Sequence, residues 1–142
     1  MELTDTQQEF LRNHHAAAMI TVADDGRPKA VRVGVALVDG RLRSSGTAGR
    51  VRTERLRRDP RCTLFVFDKA YAYLSIEATV TILDGPDAPQ LNVDLFRVMQ
   101  GRPTGPLAWY GEELEEDAFR ARMVDEQRLV YEFMPTKAYG PH

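Results

Sequence analysis

Apolar and polar residues alternate in several short runs along this chain, a pattern typical of antiparallel β-strands. The longest run covers residues 71–83, where every second residue from Leu74 to Ile82 is apolar and the intervening positions are mainly polar. The run at 16–23 is almost wholly apolar and predicts a buried strand. In all, the pattern predicts about six strands, at 16–23, 29–38, 41–46, 61–68, 71–83 and 128–134.

Turn residues and helix signals separate these strands. Asp24-Asp25-Gly26 and Asp39-Gly40 are turn sequences, so the first three strands should form an antiparallel meander. Thr4 followed by Gln7 is a capping box that starts a first helix. Further helices are predicted at the basic segment within 47–59, at 87–100 and at 112–126, and residues 135–142 form an extended end.

These elements predict a mainly β fold with flanking helices, built as a small antiparallel barrel. A doubly wound parallel sheet would need a helix after nearly every strand, and most of these strands follow one another directly. A length of 142 residues is enough for one domain, residues 1–142, with a sizeable core.

Composition narrows the class of protein. Apolar residues make up 43% of the chain and charged residues 28%, as in ordinary globular proteins. Cys62 is the only cysteine, which rules out an internal disulfide and a multi-cysteine metal site. No apolar run is long enough to span a membrane, and the first ten residues are too polar for a secretory signal. We therefore expect a cytoplasmic protein with no membrane span and no metal.

The charges are unevenly distributed. Residues 47–61 contain six arginines against two acids, a net charge of +4 in a chain whose net charge is −2. A turn of small residues leading into a basic helix can hold a phosphate, because unpaired N–H groups at a helix start and arginine side chains both attract anions. A solvated helix is an equally good interpretation of this composition. The overall negative charge argues against nucleic-acid binding.

No common catalytic motif is present. The chain has no GxGxxG, no Walker lysine loop and no HExxH. Ser44 and Ser45 do not lie in a nucleophile-elbow sequence, and Cys62 within a strand is typical of a core residue. No catalytic residue is assigned. An anion site attached to a barrel suits a protein whose bound cofactor supplies the chemistry.

The sequence at 49–61, GRVRTERLRRDPR, resembles the pyridoxamine-phosphate-oxidase-like split β-barrel proteins. It is most similar to their actinobacterial flavin/deazaflavin oxidoreductases of the B type, which often read GR-x-K-x-x-N-L-R-R-D-P-R here. The family's residue pattern is also matched by three other segments, the strand at 61–68, the run YAYLSIEATVTI and the closing RLVYEFMPTKAYG. Arg52 and Arg55 depart from this pattern, since they replace its lysine and asparagine.

The resemblance implies a split β-barrel homodimer that binds two cofactors between its subunits. The cofactor would be the deazaflavin coenzyme F420 or, alternatively, flavin mononucleotide (FMN). Arg50 and Arg52 would hold its phosphate, and Ser45 and Thr47 would hydrogen-bond it. The backbone of Val33, Gly34 and Val35 would lie near the ring, where a glycine admits a flat ligand.

Trp109 and Tyr110, in a loop rich in proline and glycine, could line the substrate groove or simply seal a hydrophobic edge. The function expected from the resemblance is hydride transfer from reduced F420 to a small or planar organic acceptor. Quinones, nitro-aromatics, tetrapyrroles and conjugated carbonyls are candidate acceptors. Two alternatives remain open: an FMN-dependent oxidase or reductase of the same fold, and a non-catalytic protein that binds a flavin, a deazaflavin or haem.

Overall fold

Seven strands form one antiparallel sheet that curls into a split barrel, flanked by four helices and a small hairpin of two further strands. The computed structural model describes residues 1–142. Its elements are α1 Asp5–Asn13, β1 Ala16–Val22, β2 Pro28–Gly34, β3 Ala36–Val38, β4 Arg41–Thr47, α2 Val51–Arg58, β5 Arg61–Phe67, β6 Tyr73–Leu83, α3 Ala88–Gln100, β7 Leu107–Trp109, β8 Glu112–Leu114, α4 Glu116–Asp125 and β9 Arg128–Tyr139. The predicted mainly β barrel with flanking helices is confirmed.

The order of strands in the sheet is β2-β1-β5-β6-β9-β4-β3, and every neighbouring pair is antiparallel. The two edge strands, β2 and β3, are consecutive in the chain and are separated by Val35 alone. A sheet whose first and last strands are joined in this way must curl back on itself. The barrel is therefore brought together by the chain at this residue.

The prediction of one strand over residues 29–38 is wrong in this respect. The backbone of Val35 pairs with His15 instead of a neighbouring strand: its N–H donates to the His15 carbonyl at 2.8 Å, and its carbonyl accepts from His15 Nδ1 at 2.9 Å. The simple alternation of faces also fails there, because Val35, Ala36 and Val38 are all buried. A run of valines and alanines has the same sequence pattern whether the chain continues one strand or passes between two sheet edges, so the break at Val35 was not predicted.

Two further predictions fail in the C-terminal half. The hairpin of β7 and β8 occupies the end of the predicted loop and the first three residues of the helix predicted at 112–126, and the helix starts only at Glu116. Tyr110 and Gly111 form the two-residue turn, both with positive φ. The end predicted to be merely extended is the second half of β9, which pairs with β6 as far as Tyr139.

The helix predictions otherwise hold. Thr4 and Gln7 form both hydrogen bonds of the capping box. The basic segment is helical over Val51–Arg58, and α3 ends at Gly101 with a left-handed backbone. None of the four helices combines the length and the apolar character needed to cross a lipid bilayer.

Buried apolar residues form two main clusters. The larger one fills the barrel with 18 residues, among them Leu64, Ile76 and Tyr131. The smaller one lies between α3, α4 and the β7–β8 hairpin, and contains Val93, Trp109 and Phe119 along with Leu107 and Met123. The α3–α4 unit thus has a core of its own beside the barrel, and a pocket lies where the two meet.

Tyr131 on β9 connects the barrel interior to α2. Its hydroxyl hydrogen-bonds Thr53 Oγ1, which in turn donates to the Thr47 carbonyl at 2.9 Å. Its ring lies directly against Gly46 on β4, so that a Cβ at position 46 would overlap the ring. Because Tyr131 is fully buried, the ring has no free space into which to move.

We predict that Gly46→Ala lowers the free energy of unfolding by about 1–3 kcal/mol, as is usual for overpacking of a well-packed core. Urea denaturation followed by circular dichroism measures this change. Gly85→Ala is the matched control, because position 85 is exposed and the nearest obstacle is the end of the Asp87 side chain, 3.3 Å away. Equal stability of the two variants would contradict the packing described for Tyr131.

Candidate functional site

A pocket of about 470 Å³ opens between the edge of the barrel and the α3–hairpin unit. Its lining comes from β2, β4, the first turn of α2, the second half of α3, the hairpin and the start of β9. The lining residues are Arg32, Val33, Gly34, Ser44, Ser45, Arg52, Phe96, Met99, Gln100, Ala108, Trp109, Tyr110 and Arg128.

The pocket brings together six of the nine residues that the sequence analysis assigned to a site. These are Val33, Gly34, Ser45, Arg52, Trp109 and Tyr110. Val35, Thr47 and Arg50 do not line it. A second pocket, of about 510 Å³, lies beside the N-terminal segment, encloses the Arg41–Glu132 ion pair and contains none of the nine. We choose the pocket of about 470 Å³ as the candidate site because the predicted site residues line it, although the other pocket has the larger volume.

The first turn of α2 presents unpaired donors. Arg50 occupies the N-cap position and makes no side-chain capping bond, so the N–H groups of the first turn remain free. Arg52 extends into the pocket with its Nε buried and without any hydrogen-bond partner. A buried donor without a partner is costly, and an anion would satisfy both sets of groups. These donors fit a phosphate or another anion.

The lining contains three arginines and no carboxylate. Arg128 is neutralised by Glu126 at 2.9 Å, and its guanidinium lies 5.0 Å from the centre of the Trp109 ring. Arg52 has no acidic partner, and neither does Arg32. The pocket therefore carries an uncompensated positive charge that favours an anionic ligand.

Several polar groups near the pocket already have partners within the chain. The Ser45 hydroxyl donates to Asn92 Oδ1 at 2.7 Å, and the amide of the fully buried Asn92 donates to the Ala88 carbonyl. Both backbone groups of Val35 are bonded to His15. Ser45 can therefore accept from a ligand but donates to one only after leaving Asn92, and Val35 has no free backbone group to offer.

Gly34 lies beneath the side chain of Met99. A Cβ at position 34 would be 2.9 Å from Met99 Sδ, so any larger residue here would force the flexible Met99 side chain to shift. The Gly34 carbonyl accepts a hydrogen bond from the Ser44 hydroxyl at 2.6 Å. Because methionine is unbranched and flexible, a flat ligand can reach Gly34 if Met99 adopts another rotamer.

Trp109 and Tyr110 have different environments, although they are neighbours. Trp109 is 6% exposed, packs edge-on against Phe96 and Phe119, and donates from Nε1 to Glu126 at 2.9 Å. Tyr110 is 83% exposed at the pocket rim, with a positive φ of 47°. Trp109 thus seals a hydrophobic edge and lines the pocket at once, while Tyr110 is free to contact a ligand.

The pocket holds no group prepared for acid–base or nucleophilic work. Partial burial alone would raise the pKa of Glu126, but hydrogen bonds from Trp109 and Arg128 outweigh it and hold the pKa below the ordinary value. Glu126 is therefore ionised at neutral pH and serves to fix Arg128. Cys62 lies in the barrel core, where burial raises the pKa of its thiol to about 12. Its thiol stays protonated, and it is a poor nucleophile.

Seven lining residues were not anticipated from the sequence: Arg32, Ser44, Phe96, Met99, Gln100, Ala108 and Arg128. Arg32 could have been found, since it shares a strand face with Gly34. Phe96, Met99 and Gln100 share one face of α3, but nothing in their spacing shows that the face meets β2, more than 60 residues away. Gln100 is held there by two bonds with Ala108, of 2.9 and 2.8 Å.

Known structures share this fold over nearly the whole chain. An F420 reductase has 21% sequence identity and a TM-score of 0.68, with 96% of this chain and 98% of that chain covered. A conserved hypothetical protein of Mycobacterium tuberculosis has 17% identity and a TM-score of 0.74, covering 97% and 84%. A candidate pyridoxamine 5'-phosphate oxidase of Listeria innocua has 16% identity and a TM-score of 0.66, covering 96% and 95%.

At these identities the likeness concerns the fold alone, and no curated protein matches the sequence. Family membership follows from a different comparison. The family model described as pyridoxamine 5'-phosphate oxidase matches residues 3–140, which is almost the entire chain. The protein therefore belongs to the pyridoxamine 5'-phosphate oxidase family, whose fold its split barrel shares.

Proposed function

We propose that this protein is an oxidoreductase that transfers a hydride from reduced coenzyme F420 to a small or planar organic acceptor. The observation that carries the proposal is the pocket itself. It joins an arginine with a buried, unpaired Nε to a glycine-containing strand and an aromatic wall, and no acidic residue lines it. That arrangement suits a flat ligand with an anionic tail. The F420 reductase among the proteins of the same fold adds support.

In this proposal the phosphate of the cofactor binds at the first turn of α2. Arg52 meets it from inside the pocket, and Arg50, exposed at the N-cap position, closes over it from outside. Arg57 and Arg61 are not assigned to the phosphate, since they form salt bridges with Asp84 and Asp59 respectively. The ring lies along Val33 and Gly34, after the side chain of Met99 has moved aside.

When bound, the deazaflavin supplies the hydride chemistry. The chain's own residues bind, orient and exclude water. Trp109 and Phe96 form an apolar wall held by Gln100, which fixes the hairpin to α3. Because no side chain of the pocket is poised as an acid or base, positioning accounts for catalysis and solvent supplies the proton that completes reduction.

A second candidate is an FMN-dependent enzyme with the same pocket. The anion site at α2 would serve the phosphate of FMN equally well. A third is a protein that binds a flavin, a deazaflavin or haem without turnover. The lack of an acid–base group in the pocket is compatible with this candidate. Cofactor binding and turnover separate the three.

We predict that F420 binds this protein more tightly than FMN. Titration of each cofactor into the protein gives the two dissociation constants, and the single tryptophan, Trp109, lies in the pocket and should be quenched by either ligand. Tighter binding of FMN, or a yellow protein on purification, would favour the second candidate. Binding of F420 without oxidation of its reduced form by quinones, nitro-aromatics or conjugated carbonyls would favour the third.

We also predict that Arg52→Ala weakens cofactor binding about 10- to 150-fold, which corresponds to a charge-assisted contact of about 1.5–3 kcal/mol. Arg50→Ala should have a smaller effect because position 50 is exposed. Arg58→Ala removes the same charge from the far end of α2, where its nearest acid is 3.8 Å away, and is the matched control. Equal affinity of the Arg52 and Arg58 variants would reject the phosphate assignment.

Finally, we propose that a second copy of the chain completes the pocket. One wall is the edge strand β2, whose residues are exposed except for Val33. Farther across the same sheet, on β5 and β6, Phe65 and Tyr73 stack at 4.9 Å and Phe67 is 38% exposed. Sedimentation velocity at micromolar concentration should give a dimer. If the protein remains monomeric when loaded with cofactor, the proposal that the site lies at a subunit interface is wrong.

A further inference from the structure

Arg32 is the one pocket arginine for which neither the fold nor the proposed cofactor site provides a partner. Arg128 is neutralised by Glu126, and Arg52 is assigned to the cofactor phosphate. The Arg32 side chain takes part in no salt bridge and no hydrogen bond within the chain, and the residue lines the pocket. It belongs to an exposed edge strand, so its position is not needed to fill the core.

The strand geometry shows which part of the pocket Arg32 serves. Residues 32 and 34 share one face of β2, while Val33 between them points into the barrel and is 8% exposed. Two residues of a strand rise about 6–7 Å, so Arg32 lies one ring width from Gly34 along the pocket. If the cofactor ring lies against Gly34 as proposed, Arg32 lies beyond one edge of the ring, at an exposed position open to a second ligand.

The charge at this position selects for a particular chemistry. A neutral acceptor would leave the guanidinium without a partner while displacing part of its water. A carboxylate would match its planar fork with two hydrogen bonds. No acidic residue lines the pocket to compete for Arg32 or to repel such a ligand.

We infer that the acceptor reduced by this enzyme carries a carboxylate, which Arg32 binds. The inference rests on the proposed function and narrows it from any planar acceptor to an anionic one. Since Arg32 is exposed in the single chain, solvent screening limits the contact, and an effect of about tenfold on affinity is expected.

The test compares 4-nitrobenzoate with 4-nitrobenzamide, two planar nitro-aromatics that differ in charge but hardly in shape. Each is titrated by calorimetry into the protein loaded with F420 or FMN, whichever binds. The wild-type protein should bind the benzoate about tenfold more tightly than the benzamide. In Arg32→Gln this preference should fall to near unity, while the affinity for the benzamide and for the cofactor stays within about twofold.

Lys29→Gln is the matched control. It removes one positive charge from the same exposed strand without touching the pocket, so it should keep the full preference for the benzoate. Equal affinities in the wild-type protein, or an undiminished preference in Arg32→Gln, would overturn the inference. A loss of cofactor affinity of tenfold or more in Arg32→Gln would also overturn it, because Arg32 would then belong to the cofactor site.

Failure of the proposed function gives a different result. If neither F420 nor FMN binds, the oxidoreductase proposal fails whatever Arg32 does. The same two probes are then titrated into the protein alone. A preference for the benzoate that disappears in Arg32→Gln supports the carboxylate site. If the wild-type protein shows no such preference, the carboxylate site is rejected.

Discussion

The structure depends on one junction, the passage of the chain through Val35. The residues on either side of it belong to opposite edges of the sheet, so the barrel closes only if this single residue is held in place. His15 holds it from both sides, through its backbone carbonyl and its ring Nδ1. Ser44 adds a bond across the gap to Gly34. Since β2 pairs with β1 alone, its other edge is left open, and the pocket lies beside it.

The end of the pocket where we propose that an anion binds depends on a second set of contacts, those that anchor α2. An isolated helix of eight residues would not be stable in water, so its orientation must come from tertiary packing. Leu56 is buried in the barrel cluster, and Thr53 links Tyr131 to the Thr47 carbonyl. These contacts fix the orientation of α2 and therefore of the free N–H groups in its first turn. The same packing buries the Nε of Arg52, which makes an anionic partner favourable.

The electrostatics of the pocket come as much from the acids that are absent as from the arginines that are present. The strongly acidic stretch near residue 115 forms ion pairs on the outside of the α3–hairpin unit, such as Arg97–Glu116 and Arg102–Glu113. Glu126 accepts hydrogen bonds from two lining residues, Trp109 and Arg128, and does not itself line the pocket. A chain with a net charge of −2 thus maintains a positive pocket, because its acids are used elsewhere.

The sequence by itself determined the class of fold and several of the residues that line the pocket. Alternation over 71–83 and a capping box at Thr4 depend on neighbours two to four residues apart, and Arg52 lies in a local motif, so all three were predictable. Only the tertiary structure decided that β2 and β3 are separate edges, that β7 and β8 form a hairpin, and that Met99 covers Gly34. These features depend on contacts between distant segments, which local residue patterns do not record.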